Sequence, residues 1–392
     1  MYKLNFLIFL FLFGLNENAL SQIIIEKWSS KQEDKDQEYK KIREGINYIY
    51  NLEYDKAEKI FDTVKKSNHE NPIGFFFDGM VLWWKIMINI EDVQYDELFK
   101  EKMSNVIDIC DRLIEKESEN STAIFYKAAA LGFRGRLLAN RGEWLNAAID
   151  GKNALPLVGQ LSKIEEENND VEFGLGLYNY YAEAIPEKYP ILKPITIFFP
   201  KGNKQKAIKQ LNNAVKNAKY ADIEALYFLM QIYYMYEYDY KKALEYATIL
   251  YNKFPKNILF KAYIGRINSK LGNTLKTSLI YNELIELVEN SDISLYKRYL
   301  DEANYYIGYS FMKNGESNKA LAYYGKVCQN KNDSDFSNKY FYMSLYNMGN
   351  IYILKNDFEK ARNCFIELIN MNDCCDLHKK AQKKLKQIEN RF

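Results

Sequence analysis

The sequence predicts an all-α chain in which antiparallel helix pairs stack into a solenoid. Three observations lead there. The first is a recurring phrase: Gly308, Ala320, Tyr324 and Val327 return forty-one residues later as Gly349, Ala361, Phe365 and Leu368. Residues three and four apart share one face of a helix, so this spacing describes two helices packed at their small residues. The second is composition: 47% of residues are apolar, 27% are charged, and Pro (7) and Gly (18) are scarce, as in a folded, helix-rich chain. The third is length, since 392 residues exceed what one compact core usually holds.

The first stretch stands outside the repeats. Lys3 precedes the apolar run Leu4–Leu15, which is too short to span a bilayer and suits the core of a signal peptide. Polar Asn16-Glu17-Asn18 follows, and Ala19 and Ser21 place small residues before a cut at Gln22. Residues 1–21 are therefore expected to be a cleaved secretory signal and 22–38 a charged lead-in, with the chain exported to a periplasmic or extracellular space. No Cys follows the run to take a lipid, and no later stretch is apolar for the length of a transmembrane helix.

Residues 39–170 read as N-terminal repeats. Gly45, Ala57, Phe61 and Val64 keep the spacing, with Asn51–Asp55 as the turn and Pro72 closing the unit. The second unit is irregular: Phe75–Ile90 is strongly apolar, and Tyr95–Glu117 has helical 3–4 spacing. Trp83-Trp84 is expected to put one ring in the core and leave one half exposed. In the third unit, Thr122–Asn140 and Glu143–Leu157, Gly135 and Ala147 are the small pair. Arg134, Arg136 and Arg141 read as a solvated face, with an anion site as the sharper alternative.

Residues 171–218 form one repeat with an insertion at 185–202. That insertion holds four of the seven prolines (Pro186, Pro190, Pro194, Pro200), so it cannot be a continuous helix. It is otherwise apolar, and Tyr189, Ile191, Leu192, Phe198 and Phe199 are expected to dock on the fold or on a partner. Regular repeats resume over 219–370, with Gln231 replacing the small residue of the fifth unit and Gly265, Thr277 and Tyr281 marking the sixth. The Lys-rich segment within 371–392 reads as a terminal capping helix with a polar outer face.

At these residues the chain resembles the tetratricopeptide repeat family, whose unit of about 34 residues carries this small-residue and aromatic pattern over two helices. Gly45/Ala57/Phe61, Gly308/Ala320/Tyr324 and Gly349/Ala361/Phe365 carry the resemblance, Gln231/Ala243/Pro255 and Gly265/Tyr281 match in part, and residues 39–370 are covered. The phrase from Gly174 to Gly202 looks like a feature of secreted bacterial members. The resemblance implies a right-handed superhelix whose first helices line a concave groove, and binding of a protein or peptide rather than catalysis. Carried over residue by residue, the groove positions are Phe228, Ile232, Met235, Arg266, Tyr305, Tyr309, Met312, Tyr346 and Asn350. A carboxylate-gripping mode is not expected, because Tyr346 stands where its Lys would be.

Chemistry is sparse. Two His, no Ser/His/Asp ordering, no phosphate loop and no zinc-protease motif argue against an enzyme. Asp373-Cys374-Cys375-Asp376 with His378 groups metal-ligand residue types, but adjacent Cys share a metal poorly, so neither a metal nor another cofactor is expected. The five Cys are irregularly spaced and form no disulfide framework; Cys328 and Cys364 read as buried thiols. The net charge of +2 is dispersed, so no nucleic-acid stripe is expected. The reading is an exported scaffold or envelope-complex adaptor. The alternative is a glycan receptor using exposed Trp and Tyr.

Overall fold

A computed structural model describes residues 36–389, apart from 165–167, 197–198, 292–295, 297, 330–338 and 372–376. The expected signal, most of the lead-in, Phe198 and the Asp373–Asp376 cluster lie outside the described residues. Among those residues every regular element is helical. Helices pair in chain order: α1 (36–50) with α2 (Tyr54–Ser67), α3 (Pro72–Ile88) with α4 (Asp96–Lys116), α5 (Ser121–Asn140) with α6 (Trp144–Ile164), and α7 (Asn169–Lys188), past a short α8 (Lys193–Thr196), with α9 (Lys204–Asn217). The series continues as α10 (Asp222–Met235) with α11 (Tyr240–Lys253), α12 (Ile258–Lys270) with α13 (Thr274–Glu289), α14 (Arg298–Lys313) with α15 (Ser317–Gln329), and α16 (Lys339–Leu354) with α17 (Phe358–Ile369), closed by α18 (Leu377–Glu389). From α2 onward each long helix packs on the next, as an α-solenoid requires.

The repeat phrase has a direct steric meaning. A Cβ added to Gly45 would fall 2.5 Å from the Phe61 ring, at Gly265 2.6 Å from Tyr281, at Gly308 2.9 Å from Tyr324, and at Gly349 2.6 Å from Phe365. Each aromatic ring thus lies on bare backbone of the preceding helix. Seven residues after each first-helix marker, the turn contains one left-handed residue: Leu52, Gly142, Tyr238, Gly272, Gly315 and Asn356, with φ from 54 to 80°. Only three are Gly, although this conformation costs any other L-residue energy. Asn and Asp caps start the helices: Asn71 accepts from the Ile73 amide, Asn120 from Ala123, Asn203 from Lys206, and Asp357 from Lys360.

Two helices run further than their prolines predict. α6 continues through Pro156 to Ile164, and α7 passes Pro186 to Lys188. Pro186 lies in a final turn, where one lost N–H bond costs little. Beyond Pro156, Leu161 is buried with Ile124 of α5 and Val171 of α7, so packing holds the extension. The insertion is therefore shorter than 185–202, leaving the helix only at Tyr189.

The first helices of early and late repeats also meet one another. One continuous buried core runs from Ile42 of α1 to Ile307 of α14, and α3, with both Trp83 and Trp84 at 0% exposure, is buried on nearly every side. A helix apolar all round needs partners all round, and the late repeats supply them.

Candidate functional site

The axial face is built on α10. Glu224, Phe228 and Gln231 lie on successive turns of it and face α1, α3 and α5 across the axis. The Tyr50 hydroxyl and the Trp84 indole N–H each donate to Glu224 Oε1 at 2.8 Å. Arg136 donates to Gln231 Oε1 at 2.8 Å and lies 4.1 Å from the Phe228 ring centre and 5.1 Å from that of Trp83. Gln231 in turn donates to the hydroxyls of Tyr227 (2.9 Å) and Tyr263 (3.2 Å). Around this centre, Arg43 makes a bidentate pair with Asp222, Asn257 donates to the Tyr50 carbonyl at 2.8 Å, and the Tyr299 hydroxyl donates to the Ile88 carbonyl at 2.9 Å. Burial pushes the Glu224 carboxyl above its ordinary value, against the pull of Arg136 and its two donors. Perturbed carboxyls often mark active sites, but this one is sealed at 5% exposure. Its chemistry is to clamp helices distant in sequence.

This closure corrects the expected open groove. Phe228, Ile232 and Tyr305 are core residues, and Arg266 is locked bidentately to the buried Glu302 at 2.6 Å. Burial raises the Glu302 carboxyl, but the Arg266 guanidinium outweighs it and holds the group below its ordinary value. Met235 is exposed at the end of α10, and Tyr309, Met312, Tyr346 and Asn350 are half-buried, so only the last repeats keep an accessible inner face. There the Tyr324 hydroxyl contacts the Met312 sulfur at 3.8 Å, and Asn350 donates to the Tyr346 carbonyl within its own helix.

The expected half-exposed Trp is absent, because α3 is enclosed. The arginine cluster is dispersed as well. Arg134 pairs with Asp150 and Arg141 with Asp96, both bidentately, while Arg136 turns to the axis. Cys110 and Cys364 are buried, burial pushing their thiols up to about 12 and about 11, whereas Cys328 is half-buried. Among the described residues no His/Cys/Asp/Glu group is arranged to hold a metal, and no helix is long and apolar enough to cross a membrane.

The insertion folds onto α6. Tyr189 meets Trp144 with ring centres 6.3 Å apart, and the Phe199 ring lies 3.8 Å from where a Gly151 Cβ would stand. Leu192 is half-buried, whereas Ile191 is 87% exposed. The return to α9 is pinned by Gly202, whose Cβ would strike the Asn179 carbonyl at 2.3 Å, and by the Lys204 amide donating to Glu183 at 2.9 Å. Beside the insertion, Trp144, Leu145 and Ile149 of α6 are exposed at 39%, 68% and 49%. An open cleft of about 610 Å³ separates α6 from α4, lined by Glu97, Glu101, Glu143 and Ile149 among others. Sequence reasoning missed this surface, although the apolar outer face of α6 was its signal.

Residues 302–330 match the tetratricopeptide repeat family model. The match covers most of α14 and all of α15, where the repeat phrase is most regular. No protein of curated function matches the chain. Among solved structures, the C-terminal part of a tetratricopeptide repeat-containing protein from Cytophaga hutchinsonii aligns with a TM-score of 0.38 and 19% identity, over 76% of this chain and 98% of that one. Pseudomonas aeruginosa pilF aligns at 0.41 and 13%, over 66% and 97%. Human IFIT1, solved as a dimer with m7Gppp-AAAA, aligns at 0.45 and 13%, over 86% and 69%.

Proposed function

We propose that this chain is an exported tetratricopeptide-type scaffold that binds a protein or peptide partner and acts as an adaptor in an envelope assembly. The observation that carries the reading is the filled axis. A repeat solenoid presents extended surfaces for partners, and here α3 and its neighbours already occupy the inner face of α10, α12 and α14. Partner contact then falls to the outer surface around α6 and the insertion, or to the inner face of the last repeats. Export is supported by the expected signal at 1–21, with the cut before Gln22. The glycan alternative loses Trp83 and Trp84, which are both enclosed, and keeps Trp144 beside Tyr189 as its exposed aromatic pair.

Crosslinking and affinity capture from the native host, with N-terminal sequencing of the captured chain, test the reading. A recurrent partner protein and an N-terminus at Gln22 are expected. Retention of residues 1–21, or recovery of the chain alone, overturns it.

A further inference from the structure

The outer face of α6 does not match its composition. The helix is 21 residues long with an apolar average, yet only Asp150, Ala154 and Leu161 are buried. Leu145 and Ile149, one turn apart, stand on the crest, and Trp144 continues this apolar surface to Tyr189 and Ile191 of the insertion. On the crest's other side lies the cleft against α4, with Ile149 on its wall.

The cleft's charge is one-sided. Its cations are already engaged: Arg134 is held by Asp150, and Lys100 pairs with Glu97 at 2.6 Å. Among the described residues Glu101 has no ionic partner, and the Glu143 carboxylate accepts only from the Asn146 side-chain amide at 2.9 Å. An apolar crest beside surplus carboxylates suits an occupant with apolar side chains on one face and cations at its edge. Complementary charge of this kind steers encounter and fixes register, while the apolar contact supplies affinity.

We propose that the α4–α6 cleft and the Leu145/Ile149 crest form a docking surface for a basic amphipathic helical segment of a partner protein. Its apolar residues lie over Ile149 and Leu145, and its Lys or Arg side chains meet Glu101 and Glu143. The inference rests on the scaffold reading and gives that scaffold a site and a partner chemistry. The closed axis takes no part in it.

The probe is a short, fluorescein-labelled helical peptide patterned from leucine and lysine, with a leucine–glutamate counterpart and a shuffled leucine–lysine control. Anisotropy titrations use the full chain, Ile149→Glu, Glu101→Lys/Glu143→Lys, and Tyr238→Ser as an exposed control outside the cleft lining. The patterned basic peptide should bind at least about tenfold tighter than either control peptide. Ile149→Glu and the double charge reversal should each weaken it by about tenfold, the latter restoring affinity for the acidic peptide; Tyr238→Ser should change nothing. All these positions are exposed, so unchanged circular dichroism separates lost binding from lost folding. Equal binding of all three peptides, or indifference to both cleft variants, overturns the proposal. Light scattering that shows a dimer dissociated by Ile149→Glu also overturns it, because a second copy then covers the face. A native partner that is still captured by Ile149→Glu sinks the cleft while leaving the scaffold reading intact.

Discussion

Replacing Glu224 by Ala tests whether the axis is closed as described. The carboxylate accepts from Tyr50 and Trp84 at 2.8 Å each, and both donors are buried. Without an acceptor each strands a polar hydrogen, at about 1–3 kcal/mol per group. Against this, Ala removes a buried carboxyl whose raised value reports a desolvation cost. The net loss should be about 2–4 kcal/mol. Glu224→Gln keeps an acceptor and sheds the charge, so it should cost less than about 1 kcal/mol. The two variants also separate by pH. A raised folded value means that the native state holds its proton where the unfolded chain has released it. Stability supplied by this group is then full below the unfolded value of about 4.3 and falls as pH rises through the folded value; in Glu224→Gln that slope should disappear. Urea unfolding followed by circular dichroism gives the energies, and hydrogen exchange over Pro72–Ile88 gives the location. The reasoning is refuted if Glu224→Ala unfolds within about 0.5 kcal/mol of the parent and leaves exchange in α3 unchanged.

Other positions follow the same physics. Arg266→Leu strands the buried Glu302 and should cost about 3–5 kcal/mol in urea unfolding, whereas Arg266→Leu/Glu302→Leu should recover much of it. The lowered value of Glu302 acts opposite to Glu224: its stabilisation is present above the unfolded value and lost as pH falls through the folded one, so acid unfolding should shift in Glu302→Gln. Glycine substitutions should split by site. Gly132→Ala and Gly325→Ala, with no atom within 4 Å of the new Cβ, should raise stability by about 0.5–1 kcal/mol, while Gly349→Ala should lower it because its Cβ meets Phe365 at 2.6 Å. Thermal melts check the sign of each. Tyr238→Gly, at φ 54° and 60% exposure, should stabilise by about 1 kcal/mol by removing left-handed strain. Cys110 and Cys364 should resist a thiol reagent at neutral pH until urea unfolds the chain, as mass mapping of the labelled sites would report.

What the sequence revealed and what it withheld separate along a physical line. The helix pairs are local: Gly45 with Phe61, or Gly349 with Phe365, lie sixteen residues apart in adjacent helices, so periodicity exposes them. Closure of the axis is not local. Trp84 reaches Glu224 across 140 residues and Tyr299 reaches Ile88 across 211, and no spacing rule connects such positions. Part of the answer was nevertheless present. The stretch Phe75–Ile90 is apolar around its whole circumference, and such a helix cannot keep one Trp exposed; that argument alone should have enclosed both Trp83 and Trp84. Glu224, which immediately precedes the apolar run Ala225-Leu226-Tyr227-Phe228-Leu229-Met230, was a second sign, since a buried carboxyl needs donors from elsewhere. Together they identify α3 as the occupant of a groove that repeat solenoids otherwise offer to others. Closure is itself a helix-in-groove contact, made in cis and sealed by Tyr50, Trp84 and Arg136. A partner competing for that groove would have to displace nearly all of α3's buried surface, far more apolar area than a single peptide helix lays down. The partly apolar, undercovered face of α6 asks for no such displacement, and this energetic difference is why a partner is better sought on the outside of the solenoid than along its axis.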